Sequence, residues 1–161
     1  MTLTRSRRFG YTAFIRYFGW RKVAMIYYCR PRIAELDDNR IEVIIPLKRR
    51  TRNHVKSLYI GAMTVGTDLA VGMLAMVKIR KTSKNIVLIF KNFNAEFLKR
   101  AEGNVHFICT EGKNISKKLS HSIETGERVN LPVKVKATVP SKFGQEPVAK
   151  FTITLSMKEK Q

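Results

Sequence analysis

Ile60 to Val77 is a run of eighteen residues, almost all apolar or small, interrupted by one charge at Asp68. A helix of that length could cross a bilayer. Three features argue against a span. A carboxylate near the middle costs about 2.5–3.5 kcal/mol on insertion scales. Gly61, Gly66 and Gly72 weaken the run further, and the sequence on either side reads as amphipathic strands. A helix that is apolar on every side is instead expected to be buried on every side. One helix among strands meets that condition when a curved antiparallel sheet wraps around it. Glycines and alanines at 61, 62, 66, 70, 72 and 75 then let strands approach the helix backbone, a packing role and not a helix-pairing signal.

The flanking sequence supplies the strands. Ile41, Val43, Ile45 and Leu47 alternate with Arg40, Glu42, Ile44 and Pro46. Residues 25–36 look extended, with Pro31 at a bulge or edge, and Asp37–Asp38–Asn39 is turn chemistry, so 25–47 reads as a hairpin. After a basic turn at 78–85 come a strand at 86–90, a short extended stretch, a turn at Glu102–Gly103 and a strand at 104–110. Two period-2 strands close the chain, carried by Leu131, Val133, Val135, Ala137 and Val139 and by Ala149, Phe151, Ile153, Leu155 and Met157. The polar segment 111–128 reads as a surface excursion with at most one helical turn. Near the start, Tyr11, Phe14, Ile15 and Phe18 follow i, i+3, i+4, i+7 spacing, the stripe of a basic amphipathic helix over 1–24. Such a helix would dock on the domain or lie on a membrane surface through residues 5–22. The expected architecture is α+β: one long central helix wrapped by an antiparallel sheet of five to six strands, plus an N-terminal helix.

The 161 residues suit one domain, and their 44% hydrophobic share excludes wholesale disorder. A net charge of +19, from 31 Lys and Arg against 12 Asp and Glu, predicts attraction to polyanions: nucleic acid, an anionic membrane or a phosphorylated small molecule. Neither Cys29 nor Cys109 sits in a CxxC pair, so buried thiols are expected, with no metal site. No apolar h-region follows the basic start, and a cytoplasmic location is the expectation.

A lone carboxylate in an apolar helix is expensive unless it is paired or faces a polar cavity. Either Asp68 bonds a neighbouring loop or base, or it is a general base or nucleophile at a cleft. The amides of Gly61 and Ala62, in the first helical turn, have no intrahelical partner and could stabilise an oxyanion. Asp68 lies seven residues on, about 10 Å of rise, too far to serve its own Gly61. A two-fold dimer would bring Asp68 of one protomer to the helix start of the other. Met63, Val65, Leu69, Met73 and Met76 either line an apolar tunnel or fill the core.

Asn53, Tyr59, Gly61, Ala62 and Asp68 resemble the motif of hotdog-fold acyl-CoA thioesterases of the phenylacetyl-CoA type and their PaaI-like relatives. That motif is an Asn, a His six residues on followed by small residues, and an Asp or Glu nine residues after the His. The segment 93–107 is similar to the family's next hairpin, and the resemblance spans about 40–157. It implies a single hotdog domain over 1–161 with its core at 25–157. It also implies a homodimer, often paired into a tetramer, with active sites at the dimer interface, and an acyl-CoA or related thioester as substrate. Asp68 would act on the thioester, Gly61 and Ala62 would polarise its carbonyl, and Asn53 would orient water or the thioester. Tyr59 stands where relatives carry His, which puts turnover in question. A ligand-binding protein without turnover is the alternative, and a basic nucleic-acid or membrane-surface protein ranks third. No cofactor is required. Lys78, Arg80, Lys81, Lys99 and Arg100 are candidates for the phosphates of coenzyme A.

Overall fold

The computed structural model describes residues 4–160. A basic N-terminal helix α1 (Arg5–Lys22) breaks at Val23 and turns into a short helix α2 (Ala24–Cys29). The chain then forms β1 (Arg32–Leu36), β2 (Ile41–Ile45), the long helix α3 (Ile60–Lys81), β3 (Ile86–Phe97), β4 (Val105–Cys109) and helix α4 (Gly112–Thr125). It ends with β5 (Val129–Thr138), a single helical turn α5 (Pro140–Phe143) and β6 (Pro147–Glu159). The strands form one antiparallel sheet of six in the order β1-β2-β4-β5-β6-β3.

The sheet packs its apolar face around α3. Val43, Val105, Phe107, Val133, Val135, Phe151, Ile153 and Leu155 are buried in the same core as Ala62, Met63, Leu69, Ala70, Met73 and Leu74. In β6 the apolar residues Ala149, Phe151, Ile153, Leu155 and Met157 are buried and Lys150 and Lys158 face outward. α3 passes the length and composition test for a membrane span, yet most of it is buried inside the protein.

The burial is not complete, which corrects the expectation of a helix covered on every side. Val65, Asp68, Gly72 and Met76 form a stripe at i, i+3, i+7, i+11 that is only partly covered. The sheet curls around one side of α3, while α1 and α2 roof the other incompletely.

Three further elements differ from the sequence expectation. Residues 24–29 are helical, not extended, because Ile26 and Cys29 bury at i, i+3 and a short apolar run fits either period. Arg30 ends that helix in the left-handed region (φ 52°, ψ 52°), and Pro31 cannot continue it. The polar segment after β4 is a full 14-residue helix, because Ile115, Leu119 and Ser122 make a narrow buried stripe. The strand at 86–90 and the stretch that follows are one 12-residue strand with a bulge between Phe90 and Asn92. That extra residue shifts the register, so Leu88 and Phe90 before it and Phe93 and Phe97 after it share one face. Without it, Asn92, Asn94 and Glu96 would face the core.

Candidate active site

Asp68 sits at the middle of α3, at i−4 from Gly72, with Phe90 of β3 across the gap. A methyl group placed on Gly72 would lie 3.8 Å from both Asp68 Oδ1 and Phe90 Cζ. The carboxylate faces a cavity of about 420 Å³. Its walls come from three places: Ile15 and Phe18 of α1 with Val23 and Ile26; Leu69, Gly72, Met73 and Met76 of α3; Ile86, Leu88 and Phe90 of β3. Asp68 is the one ionisable group in this lining among the described residues. The volume lies within the ~300–1,000 Å³ of small-molecule sites, which are mostly apolar with a few placed polar groups.

Among the described residues, nothing donates a hydrogen bond to Asp68 and no cation pairs with it. Burial alone therefore decides its ionisation, and pushes the carboxyl up to about 6. The sequence offered two readings, an Asp bonded to a loop or base and a general base or nucleophile held at a cleft. Among the described residues no loop or base bonds the carboxylate, and it faces a cavity. A group poised between protonation states near neutral pH suits proton transfer.

The helix start is separate from this cavity. Tyr59 occupies the N-cap of α3, and its side chain makes no capping bond. Its amide donates to the Thr51 carbonyl (2.8 Å), and its carbonyl accepts the first intrahelical bond, from Met63 (3.0 Å). The amides of Ile60, Gly61 and Ala62 precede that bond. The Tyr59 ring lies beside Gly61, where a Cβ would come 2.6 Å from Cε1. Tyr59 and Ile60 are both about half exposed (52% and 53%), so this end of the helix is an open surface.

Asn53 has a role in the loop itself. Its Oδ1 accepts from the Val55 amide (3.1 Å) and the Ser57 amide (3.0 Å), closing the turn in which Lys56 takes φ 62°. Its side-chain NH₂ makes no hydrogen bond among the described residues.

The five candidate phosphate ligands fall into two groups. Lys78 donates to the Asp38 carbonyl (2.6 Å), Lys81 pairs with the Asp38 carboxylate (2.6 Å), and Arg80 stacks on Phe14 (4.7 Å). These lie at the C-terminal end of α3. Lys99 pairs with Glu146 (2.6 Å) and Arg100 with Glu102 (3.0 Å), and Arg100 also reaches Ser57, next to the start of α3. The 22 residues of α3 put about 33 Å between the two groups. Most of this set is thus already neutralised by partners.

Sequence reasoning did not find the cavity walls contributed by α1, α2 and β3. Of the five candidate tunnel residues, Leu69, Met73 and Met76 line the cavity, while Met63 and Val65 pack in or against the core. His106 forms a strand-face pair with Glu42 (2.6 Å), which Arg40 also meets (2.9 Å), and neither His106 nor Glu42 lines the Asp68 cavity. Cys29 and Cys109 are buried free thiols, and burial raises both above the ordinary thiol range, Cys109 to about 11.

A long helix held by a six-stranded antiparallel sheet in this order is a hotdog fold. The chain belongs to the family described as Domain of unknown function (DUF4442), whose model matches residues 13–157. It is similar to PA5026 of Pseudomonas aeruginosa, a protein of unknown function and probable thioesterase, at 20% identity and TM-score 0.74, covering 99% of each chain. It is also similar to OLEI01261 of Chlorobaculum tepidum TLS, of unknown function, at 11% identity and TM-score 0.80, covering 95% of this chain and 97% of that one. A third similar structure is the thioesterase HI1161 of Haemophilus influenzae, at 13% identity and TM-score 0.61, covering 83% and 82%. No curated protein matches the chain.

Proposed function

We propose that the chain hydrolyses acyl thioesters, with Asp68 as the group that takes the proton from the attacking water. The observation that carries this reading is an unpartnered carboxylate, raised to about 6, on the wall of an otherwise apolar cavity. The acyl chain occupies the cavity. Water adds to the thioester carbonyl as its proton passes to Asp68, the tetrahedral oxyanion forms, and the thiolate leaves with the proton returned. The oxyanion needs donors, and the amides of Gly61 and Ala62 are free to serve. Because about 10 Å separates Gly61 from Asp68 along the helix, those donors come from a second protomer.

The edge of the sheet supports such a dimer. β3 pairs with β6 on one side, and its other edge has no partner among the described residues. It is long and carries exposed Val87, Ile89, Phe93 and Phe97, the kind of edge that pairs with another chain. Val87→Lys combined with Ile89→Lys is expected to yield a monomer by light scattering and to remove hydrolysis. A fully active monomer would rule out the shared site.

Hydrolysis is tested with acyl-CoAs of varied chain length and aromatic content, reading thiol release. Wild type is expected to turn over at least one, and Asp68→Asn to lose at least 100-fold. Saturable binding with no turnover by either protein would leave a ligand-binding protein, the outcome that Tyr59 in place of His makes relevant.

A second reading concerns where the enzyme works. The outer face of α1 presents Phe9 (77% exposed), Tyr17 and Trp20 (63% exposed) to solvent, and no acidic residue occurs before Glu35. Exposed aromatics among cations suit the interface of an anionic bilayer. α1 also buries Ile15, so the test uses point changes and not deletion of the helix. Tyr17→Glu with Trp20→Glu is expected to abolish co-sedimentation with phosphatidylglycerol vesicles. Unchanged co-sedimentation would dismiss contact through this face.

A further inference from the structure

A second pocket shares no lining residue with the Asp68 cavity. It is about 300 Å³ and is lined by Arg16, Arg30, Arg32, Lys48 and Arg50, with Cys29, Pro46, Thr51 and Asn104. Among the described residues, five cationic side chains share this space and no carboxylate lines it. None of the five forms an ion pair among the described residues, although Lys81, Lys84, Lys99, Arg100 and Lys142 all do. Like charges gathered without a counter-charge destabilise a fold unless something offsets them.

The pocket is also held in shape. Arg16 donates from Nε to the Pro31 carbonyl (3.1 Å), which fixes its guanidinium against the chain reversal after α2. Burial, then the nearby Arg30 and Arg32, lower its proton affinity. Arg30 donates to the Tyr27 hydroxyl (3.0 Å) and lies 4.2 Å over that ring. The turn that carries Lys48 and Arg50 is tied down at three points. The Thr51 hydroxyl donates to the Pro46 carbonyl (2.7 Å) and accepts from the Lys48 amide (2.9 Å). Asn104 Oδ1 accepts from the Leu47 amide (3.0 Å), which leaves the Asn104 NH₂ as a further donor in the lining.

We propose that this pocket binds a phosphate group of a small ligand. Planar guanidinium forks from three arginines, with a lysine and a fourth arginine on the facing turn, match the acceptor geometry of phosphate oxygens. The same chemistry could come from a soluble phosphorylated molecule or from the headgroup of a phospholipid.

The test titrates three probes into the full-length protein: inorganic pyrophosphate, free coenzyme A, and vesicles containing phosphatidic acid. The expected result is saturable binding of pyrophosphate, weakened at least tenfold in Arg32→Glu with Arg50→Glu. Both residues are exposed, so the variant keeps its fold. Lys117→Glu with Lys118→Glu, two exposed bases on α4, makes the same change in net charge and is expected to bind as wild type does. Coenzyme A binding well above pyrophosphate, and lost in the same variant, identifies a soluble nucleotide-bearing ligand. Vesicle binding lost in that variant, with both soluble probes weak, identifies a lipid headgroup. Equal loss in the α4 control, or no saturable binding of any probe, overturns the proposal.

Discussion

Asp68→Asn is expected to be both nearly inactive and more stable than wild type at pH 8. The two effects share one cause. Burial raises the Asp68 carboxyl to about 6, against an ordinary value near 3.8. Below about pH 4 the group is protonated in both the folded and unfolded chain and contributes nothing to the pH dependence. As pH rises from 4 to 6 the unfolded chain loses its proton first, while the folded chain keeps it. The folded state then binds more protons, and stability falls with pH across that window. Above pH 6 the penalty is constant, of order 3 kcal/mol. Asparagine cannot ionise, but its buried amide costs about 1 kcal/mol where unpaired. The net gain at pH 8 corresponds to roughly 4–8 °C in Tm for a domain of this size. It shrinks towards pH 4. A Tm for Asp68→Asn at or below wild type at pH 8 would show that something pairs the carboxylate in the assembled protein.

Activity should run the other way. Only the carboxylate form accepts the proton, so kcat/KM is expected to rise with pH and level off above an apparent midpoint near 6. On the proposed mechanism, the group that carries hydrolysis is also the group that makes the fold less stable at neutral pH. Active sites commonly retain such costs, because removing them removes the chemistry.

Strands and the central helix were readable because their periods are unambiguous. Ala149 to Met157 alternates over nine residues, and β6 keeps that alternation except at Ser156, which is buried with Leu155 and Met157. α3 was readable from its length alone. α2 was not, since six residues with two buried positions fit a strand as well as a helix. α4 was missed because Ile115 and Leu119 are a thin stripe in polar sequence, and its packing against the sheet outweighs weak local preference. The site was legible in part. Asp68 is conspicuous because a charge in an apolar run is rare. Phe18, Ile26 and Leu88 are not, because an apolar residue looks the same in sequence whether it faces core or cavity. The cations carry the same ambiguity. Lys81 and Lys99 resemble Arg32 and Arg50 in sequence, but only folding reveals that the first two meet Asp38 and Glu146 while the others meet no acid.

Gly66→Ala and Gly72→Ala are expected to change stability in opposite directions, though both add one methyl to the same helix. Replacing a helical glycine by alanine normally stabilises by about 0.5–1 kcal/mol. At Gly72 the new methyl would meet Asp68 Oδ1 and Phe90 Cζ at 3.8 Å, ordinary contact distance, so that gain should appear as a Tm higher by about 1–4 °C. At Gly66 it would overlap the ring of Phe107. Phe107 is fully buried on β4 and packs against Phe151 with ring centroids 6.2 Å apart, so it has nowhere to turn. Overpacking a rigid core costs about 1–3 kcal/mol, and displacing a buried Phe costs more. The steric term therefore exceeds the propensity gain, and Gly66→Ala is expected to lose about 2 kcal/mol, roughly 4–8 °C in Tm. Thermal unfolding of the pair checks this directly. Equal gains at both positions would mean that β4 does not lie against α3 at Gly66, and the wrapping of the sheet around the helix would have to be redrawn.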